Sequence, residues 1–227
     1  MRAAFYDLDG TLTSGNVVTR YAFLAWRVPS RPRALLKYGK LVAAIPWLVA
    51  LEHYSRTRFN EVFYREYKGL ERRWLESQAE GMFEHEVRPK IYPGAKALVE
   101  RDRRDGYRLV LVTGALDFDL PPVMRFFGFD DLICNRLLYS GEAATGQIAP
   151  PLIADREKQQ ALLRLCREYN VDTARSKAYS DSFSDLPMLE SVGLPAAVHP
   201  DRRLRRAANE RGWPVLDLKR EQHGDTG

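Results

Sequence analysis

The sequence predicts an α/β protein: a Rossmann-like, doubly wound, mostly parallel sheet that carries an inserted helical bundle. Three observations predict it. A short apolar strand over residues 2–7 runs into the acidic turn Asp7-Leu8-Asp9-Gly10. From Pro89 onward, apolar strands alternate with amphipathic helices, the pattern of a parallel sheet covered on both faces. Between them, residues 16–88 carry helical signals, many aromatic and arginine residues, and no strand-like alternation. The expected division is residues 1–14 and 89–227 for the α/β core and 15–88 for a helical cap, with length enough for a buried core.

The elements follow in order from local signals. The insert divides at Pro29-Ser30-Arg31-Pro32, at Ser55 and at Gly69 into helices near 17–27, 32–52, 56–68 and 71–86. Pro93-Gly94 opens a helix that runs to about Asp105, and Gly106 ends it. Tyr107–Val112 is the strongest strand, ending at Thr113-Gly114. A helix over 118–127 stops at Gly128; Ile133–Tyr139 is a strand, returned by Thr145–Ile148 after the turn Ser140-Gly141-Glu142. A helix over 156–169, a strand at Ala178-Tyr179, a short helix at 185–191, strands at Pro195–His199 and Pro214–Leu218, and an Arg-rich helix at 201–211 complete the alternation. Residues 221–227 read as a frayed tail.

Composition narrows the class. Apolar residues make up 45% and charged residues 29%, which is the balance of a folded chain rather than a disordered one. Two cysteines, Cys134 and Cys166, cannot staple a secreted scaffold and lack zinc-ligand spacing, so they read as reduced, buried side chains of a cytoplasmic protein. The N-terminal apolar run breaks at Asp7, too early for a signal peptide. The longest apolar run, Leu41–Leu51, is too short to span a bilayer. It reads as a buried bundle helix kinked at Pro46; peripheral membrane contact through Trp47, Lys37 and Lys40 is the alternative. The net charge of +5 is too small to announce a nucleic-acid partner. It is unevenly placed: residues 15–88 hold 13 Lys and Arg against 8 Glu, so the cap carries the whole excess.

In open parallel sheets the site lies at the carboxyl ends of the strands. The residues there are Asp7 and Asp9, Thr113 and Gly114, and Asp181 and Asp185. Two carboxylates separated by one residue can serve as nucleophile and proton carrier, or simply as an Asx-stabilised turn. With Asp181 and Asp185 they make an oxygen-rich cluster suited to a hard cation. Thr113 and Gly114 offer a hydroxyl and an open N–H to a phosphate oxygen, although a common strand-ending turn looks the same. Lys158 stands in the first turn of its helix, where the dipole disfavours a cation if Asp155 is the N-cap. A broken local rule at that face hints at function, and a solvated lysine is the plainer reading.

Taken jointly, Asp7-x-Asp9-Gly-Thr, Val112-Thr113-Gly114, Lys158 and Ser180-Asp181-x-x-x-Asp185 resemble the four motifs of the haloacid dehalogenase (HAD) superfamily. The cap, the segment Cys134–Leu138 with its hairpin, and the 23-residue step from Lys158 to Asp181 are similar to its subfamily IB, the phosphoserine phosphatase-like branch with a C1-type cap. The resemblance implies a phosphoric monoester hydrolase. Asp7 would attack phosphorus, and Asp9 would protonate the leaving oxygen and then activate water. Asp7, Asp9 through its carbonyl, and Asp181 would hold Mg²⁺, with Asp185 orienting them. Thr113, Gly114 and Lys158 would hold the phosphoryl oxygens. The branch carries a Glu nine residues after the nucleophile for a substrate amine; this chain has Asn16. Ser184 likewise replaces an Asn. Arg56, Arg58 and Arg65 are candidates for a substrate carboxylate. The expected partner is a small phosphorylated molecule and not a nucleic acid. Phosphoserine itself, a lipid-headgroup or lyso-lipid phosphate, and a non-enzymatic membrane-surface or phosphate-binding module on the same fold are the alternatives.

Overall fold

The computed structural model describes residues 1–219, and among these it leaves the side chains of residues 33, 49, 50, 52–54 and 56 undescribed. The expected tail at 221–227 lies outside the described residues. Six strands form one parallel sheet in the order β3-β2-β1-β6-β7-β8. They are β1 (Ala3–Tyr6), β2 (Arg108–Leu116), β3 (Asp131–Asn135), β6 (Lys177–Ser180), β7 (Leu194–Val198) and β8 (Val215–Leu216). A hairpin, β4 (Leu137–Ser140) with β5 (Ala143–Ile148), stands apart. Strand β1 is central, paired with β2 on one side and β6 on the other, so the turns after these neighbouring strands converge.

Alternation along β1 explains both covered faces. Ala4 and Tyr6 point to the side where Leu98 of α5 (Ala95–Arg104) and Val123 of α6 (Pro121–Phe127) pack. Ala3 and Phe5 point to the side of Leu162 in α7 (Arg156–Glu168), Met188 in α8 (Leu186–Leu189) and Leu204 in α9 (Arg202–Arg211). The fully buried Asp102 of α5 is satisfied by Tyr6, Tyr179 and Lys177 at 2.6–2.8 Å, which ties two strands to that helix.

Two strands differ from the sequence reading. Strand β2 does not stop at Thr113-Gly114 but continues to Leu116, with a break in register against β3 between Val112 and Leu116. The run 133–139 is two strands, because the buried Asn135 turns the chain: its Nδ2 donates to Gly114 O at 2.7 Å and its Oδ1 accepts from Ile153 N at 2.7 Å. Its side chain thereby satisfies backbone groups of two other segments.

The helical insert leaves and re-enters the core at one place. Ser14 N donates to Lys90 O at 2.9 Å, and Tyr92 N donates to Leu12 O at 3.0 Å. It contains α1 (Val17–Arg27), α2 (Arg31–Tyr54), α3 (Arg56–Phe63) and α4 (Arg72–Met82). The expected helices at 56–68 and 71–86 end early, α3 in a 3₁₀ turn over Tyr64–Tyr67 and α4 in a π turn over Phe83–Val87. Tyr21, Leu24, Leu41, Phe59 and Phe63 form one cluster with Leu116, Phe118 and Leu137, so the insert packs on the end of the sheet and on the hairpin. Backbone bonds from Gly69 N to Ala144 O and from Ala144 N to Leu70 O, both 2.8 Å, fix that contact. Helix α2 runs through Pro46, and it is buried on one face only: Leu41 and Leu48 pack inward while Val42, Ile45 and Trp47 are exposed. The buried bundle helix expected from hydropathy is corrected to one covered on a single face.

Candidate active site

Asp7 follows β1 and is buried, and its N–H donates to Tyr179 O at 3.0 Å. Its two carboxylate oxygens have different partners. Oδ1 accepts from Lys158 Nζ at 2.7 Å, and Oδ2 accepts from Thr11 Oγ1 at 3.1 Å. Lys158 also reaches Asp185 Oδ2 at 2.7 Å, to which Ser180 Oγ donates at 2.7 Å. This explains the cation in the first turn of α7: it is buried between two carboxylates rather than solvated. Asp155 does occupy the N-cap position, but its carboxylate makes no cap bond and accepts from Thr57 Oγ1 of the insert at 2.6 Å. Asp185, at the start of α8, likewise makes no cap bond.

Asp181 follows β6 and joins Asp7 through Thr11, whose hydroxyl lies 3.1 Å from Asp181 Oδ1 as well. Its carboxylate lies against Gly10, whose φ is +87°; a Cβ on Gly10 would overlap that carboxylate. Gly10→Ala is therefore expected to cost about 1–3 kcal/mol through backbone strain and the displaced carboxylate, read as a lowered Tm. Among the described residues no three His, Cys, Asp or Glu side chains converge as a metal group. Two carboxylates, Asp7 and Asp181, linked by one hydroxyl and cradled over a glycine, with the Asp9 carbonyl on the same turn, form a hard oxygen set. That set suits Mg²⁺, which takes one or two carboxylates and completes its shell with water and substrate oxygens.

Asp9 is held differently. Arg20 of α1, buried, donates from both terminal nitrogens to its two oxygens at 2.9 and 2.6 Å. The Arg20 Nε lies 3.2 Å from Asp119, a buried carboxylate in the 3₁₀ turn after β2. Burial works against the Arg20 charge, yet Asp9 and then Asp119 raise its pKa above the ordinary value. Burial pushes Asp119 up to about 7, with Arg20 opposing and Asp9 and Asp117 adding to the rise. Among the described residues Asp119 Oδ1 has no hydrogen-bond partner. Because the folded pKa of Asp119 is raised, its contribution to stability is full below the unfolded value near 4 and is lost as pH rises through about 7. Asp119→Asn is expected to remove a slope of at most about 1.4 kcal/mol per pH unit over that window, measured as Tm against pH.

Thr113 and Gly114 line a small pocket with Asp7 and Asp9. Thr113 Oγ1 accepts from Ala115 N at 3.1 Å, and Gly114 O accepts from Tyr64 Oη and Asn135, so the strand break after Val112 is pinned in place. The remaining wall is Asn16, Val17, Val18, Phe59 and Asn60, all from the insert. Asn16 is present, but its Oδ1 caps α1 by accepting from Thr19 N at 2.9 Å. Arg58 and Arg65 are exposed and do not line the pocket, and the Arg56 side chain lies outside the described residues. The structure thus brings together Asp7, Asp9, Thr113, Gly114, Lys158, Asp181 and Asp185 and leaves the two described cap arginines apart.

Sequence reasoning missed Arg20, Asn60, Tyr64, Asp119 and Asn135. Only Arg20 left a local signal: it sits on the apolar stripe Val17-Arg20-Leu24 of an amphipathic helix, where a cation needs buried partners.

The chain is similar to several known proteins. A family model described as haloacid dehalogenase-like hydrolase matches residues 4–190. A Streptomyces azureus protein called inhibition of morphological differentiation protein is 37% identical over 135 residues; the match covers 59% of this chain and 48% of that one. The chain thus spans about half the length of that relative. A Mycobacterium tuberculosis protein named "Probable phosphatase" is 30% identical over 96% of this chain and 76% of its own. The histidinol-phosphatase of Neisseria meningitidis is 29% identical over 95% and 98%. Among solved structures, a Bordetella pertussis protein of unknown function superposes with a TM-score of 0.81 at 26% identity, over 96% of this chain and 98% of that one. An apo phosphoserine phosphatase, 15% identical, superposes at 0.69 over 97% and 94% and shows the shared fold.

Proposed function

The chain belongs to the haloacid dehalogenase-like hydrolase family, and from that membership we propose that it is a Mg²⁺-dependent phosphatase of small phosphomonoesters that works through an aspartyl-phosphate on Asp7. The observation that carries the reading is Lys158 Nζ at 2.7 Å from a buried Asp7 that opens on a pocket lined by Thr113 and Gly114. Asp7 attacks phosphorus, forming an Asp7 O–P bond as the ester P–O bond breaks. Asp9 gives its proton to the leaving oxygen. It then takes a proton from water as that water attacks phosphorus and frees Asp7. Lys158, the Thr113 hydroxyl and the Gly114 N–H hold the equatorial oxygens in line. Asp7, the Asp9 carbonyl and Asp181 would hold Mg²⁺, oriented by Asp185; when bound, the ion supplies charge that offsets the carboxylates facing a phosphate dianion.

The pocket also bears on the substrate. Apart from Asp7 and Asp9, its described lining is uncharged, so among the described residues nothing there pairs with a substrate carboxylate. Asn16 is committed to capping α1. We therefore place phosphoserine behind phosphomonoesters whose alcohol lacks a carboxylate, amino-alcohol phosphates included. A cytoplasmic site of action is part of the proposal, in keeping with two cysteines not bonded to each other. A panel of such esters, assayed with Mg²⁺ and with chelator, is expected to show metal-dependent phosphate release and a higher kcat/KM for carboxylate-free esters than for phosphoserine. Equal rates with and without Mg²⁺ would overturn the metal assignment, and a preference for phosphoserine would overturn the substrate assignment.

A further inference from the structure

Helix α2 is apolar on nearly every side, and the fold covers only one of them. Ala34, Leu41 and Leu48, spaced by seven, face inward. Leu35, Tyr38, Val42 and Ile45 recur at i, i+3, i+7 and i+10, share another face, and are exposed. Leu36 and Trp47 are exposed beside them, Trp47 at 53%. Trp26, near the end of α1 and 59% exposed, extends the face: its ring meets that of Tyr38 edge-on at 5.5 Å. Of the twelve large apolar side chains exposed among the described residues, seven lie on this one helical hairpin. Scattered apolar side chains need no explanation, but a contiguous patch of this kind marks an interaction surface.

Charge decides what covers it. Between Asp9 and Glu52 the chain has no acidic residue and, besides the buried Arg20, five Arg and Lys. Arg27, Arg31 and Lys40 are exposed on the same two helices. A second copy of this face would set cations against cations. An acidic leaflet meets both features at once, phosphate headgroups against the basic side chains and the acyl boundary against the apolar ones, with Trp26 and Trp47 at the headgroup level. No helix among the described residues is long and apolar enough to cross a membrane, so the helix would lie in the plane of the interface. The basic helix α9 lacks such a face: its apolar residues Leu204, Ala207 and Ala208 are buried. From this we infer that the α1–α2 hairpin docks the protein on the surface of an anionic lipid bilayer.

The test is co-sedimentation of the full chain with vesicles of phosphatidylcholine alone and of phosphatidylcholine mixed with phosphatidylglycerol, together with tryptophan emission. Binding to the anionic vesicles with a blue-shifted emission is expected. The double variant Val42→Glu/Ile45→Glu is expected to lower partitioning by about tenfold or more with Tm unchanged, since both sites are exposed. Leu35→Gln/Leu36→Gln, about two turns away on α2, should reproduce the loss. Absence of binding to anionic vesicles, or binding that both double variants retain, overturns the proposal. So does a concentration-dependent dimer that these variants dissolve, which would give the face to a second copy.

Discussion

Asp7→Asn is expected to abolish turnover, with kcat lower by about 10⁴-fold or more and no phosphoenzyme formed at any time. The change is nearly isosteric, and it leaves Lys158 paired with Asp185 at 2.7 Å, so the fold and the pocket should persist. What is lost is the carboxylate oxygen that forms the bond to phosphorus. An amide at that position is a far weaker nucleophile and carries no charge for Lys158 or a cation to organise. Asp9→Asn supplies the contrast. It keeps the nucleophile and removes the proton carrier, so the first half-reaction proceeds slowly and the second stalls. Acid-quenched single-turnover samples of Asp9→Asn should hold a phosphorylated Asp7 peptide that Asp7→Asn never shows. Complete hydrolysis by Asp7→Asn would sink the nucleophile assignment, and a phosphorylated residue elsewhere would move it.

That Asp7, Asp9, Asp181 and Asp185 lie at one edge was legible in the sequence because parallel strands deliver their next residues there, and apolar runs mark the strands. The meeting of Asp7 with Asp181 through Thr11 and with Asp185 through Lys158 follows from β1 lying beside β6. The strand boundaries were less legible where side chains override the ladder, as Asn135 does after β3. The cap arginines were chosen for charge alone. Charge says nothing about which side of a short helix faces the pocket, and the structure puts Phe59 and Asn60 of α3 there while Arg58 is exposed. Hydropathy erred in the same way on α2, since an apolar run does not reveal how many of its faces find a neighbour. Arg20 was hidden because its partners, Asp9 and Asp119, come from segments separated from it by 11 and 99 residues.

Arg20→Met is expected to have the second-largest effect, on stability and turnover together. It would leave Asp9 and Asp119 buried without their shared cation, and deleting one partner of a buried charge set costs about 3–5 kcal/mol. Thermal denaturation should show that loss, and it should be smaller at low pH, where Asp119, with its pKa pushed up to about 7, is already protonated. A purely structural role would stop there. Arg20 also fixes both oxygens of Asp9 with a planar fork, so it should act on proton delivery to the leaving group. Arg20→Lys separates the two roles because it keeps the charge and loses the fork. With an alkyl phosphate, whose leaving oxygen needs a proton, Arg20→Lys should lower kcat by about 10- to 100-fold. With an aryl phosphate bearing a good leaving group, the same variant should stay close to wild type. In the Asp9→Asn background the substitution should add almost nothing to the loss, since the two residues act as one unit. An equal drop for both classes of ester, or full additivity with Asp9→Asn, would reduce Arg20 to a buried counter-ion with no part in positioning the acid.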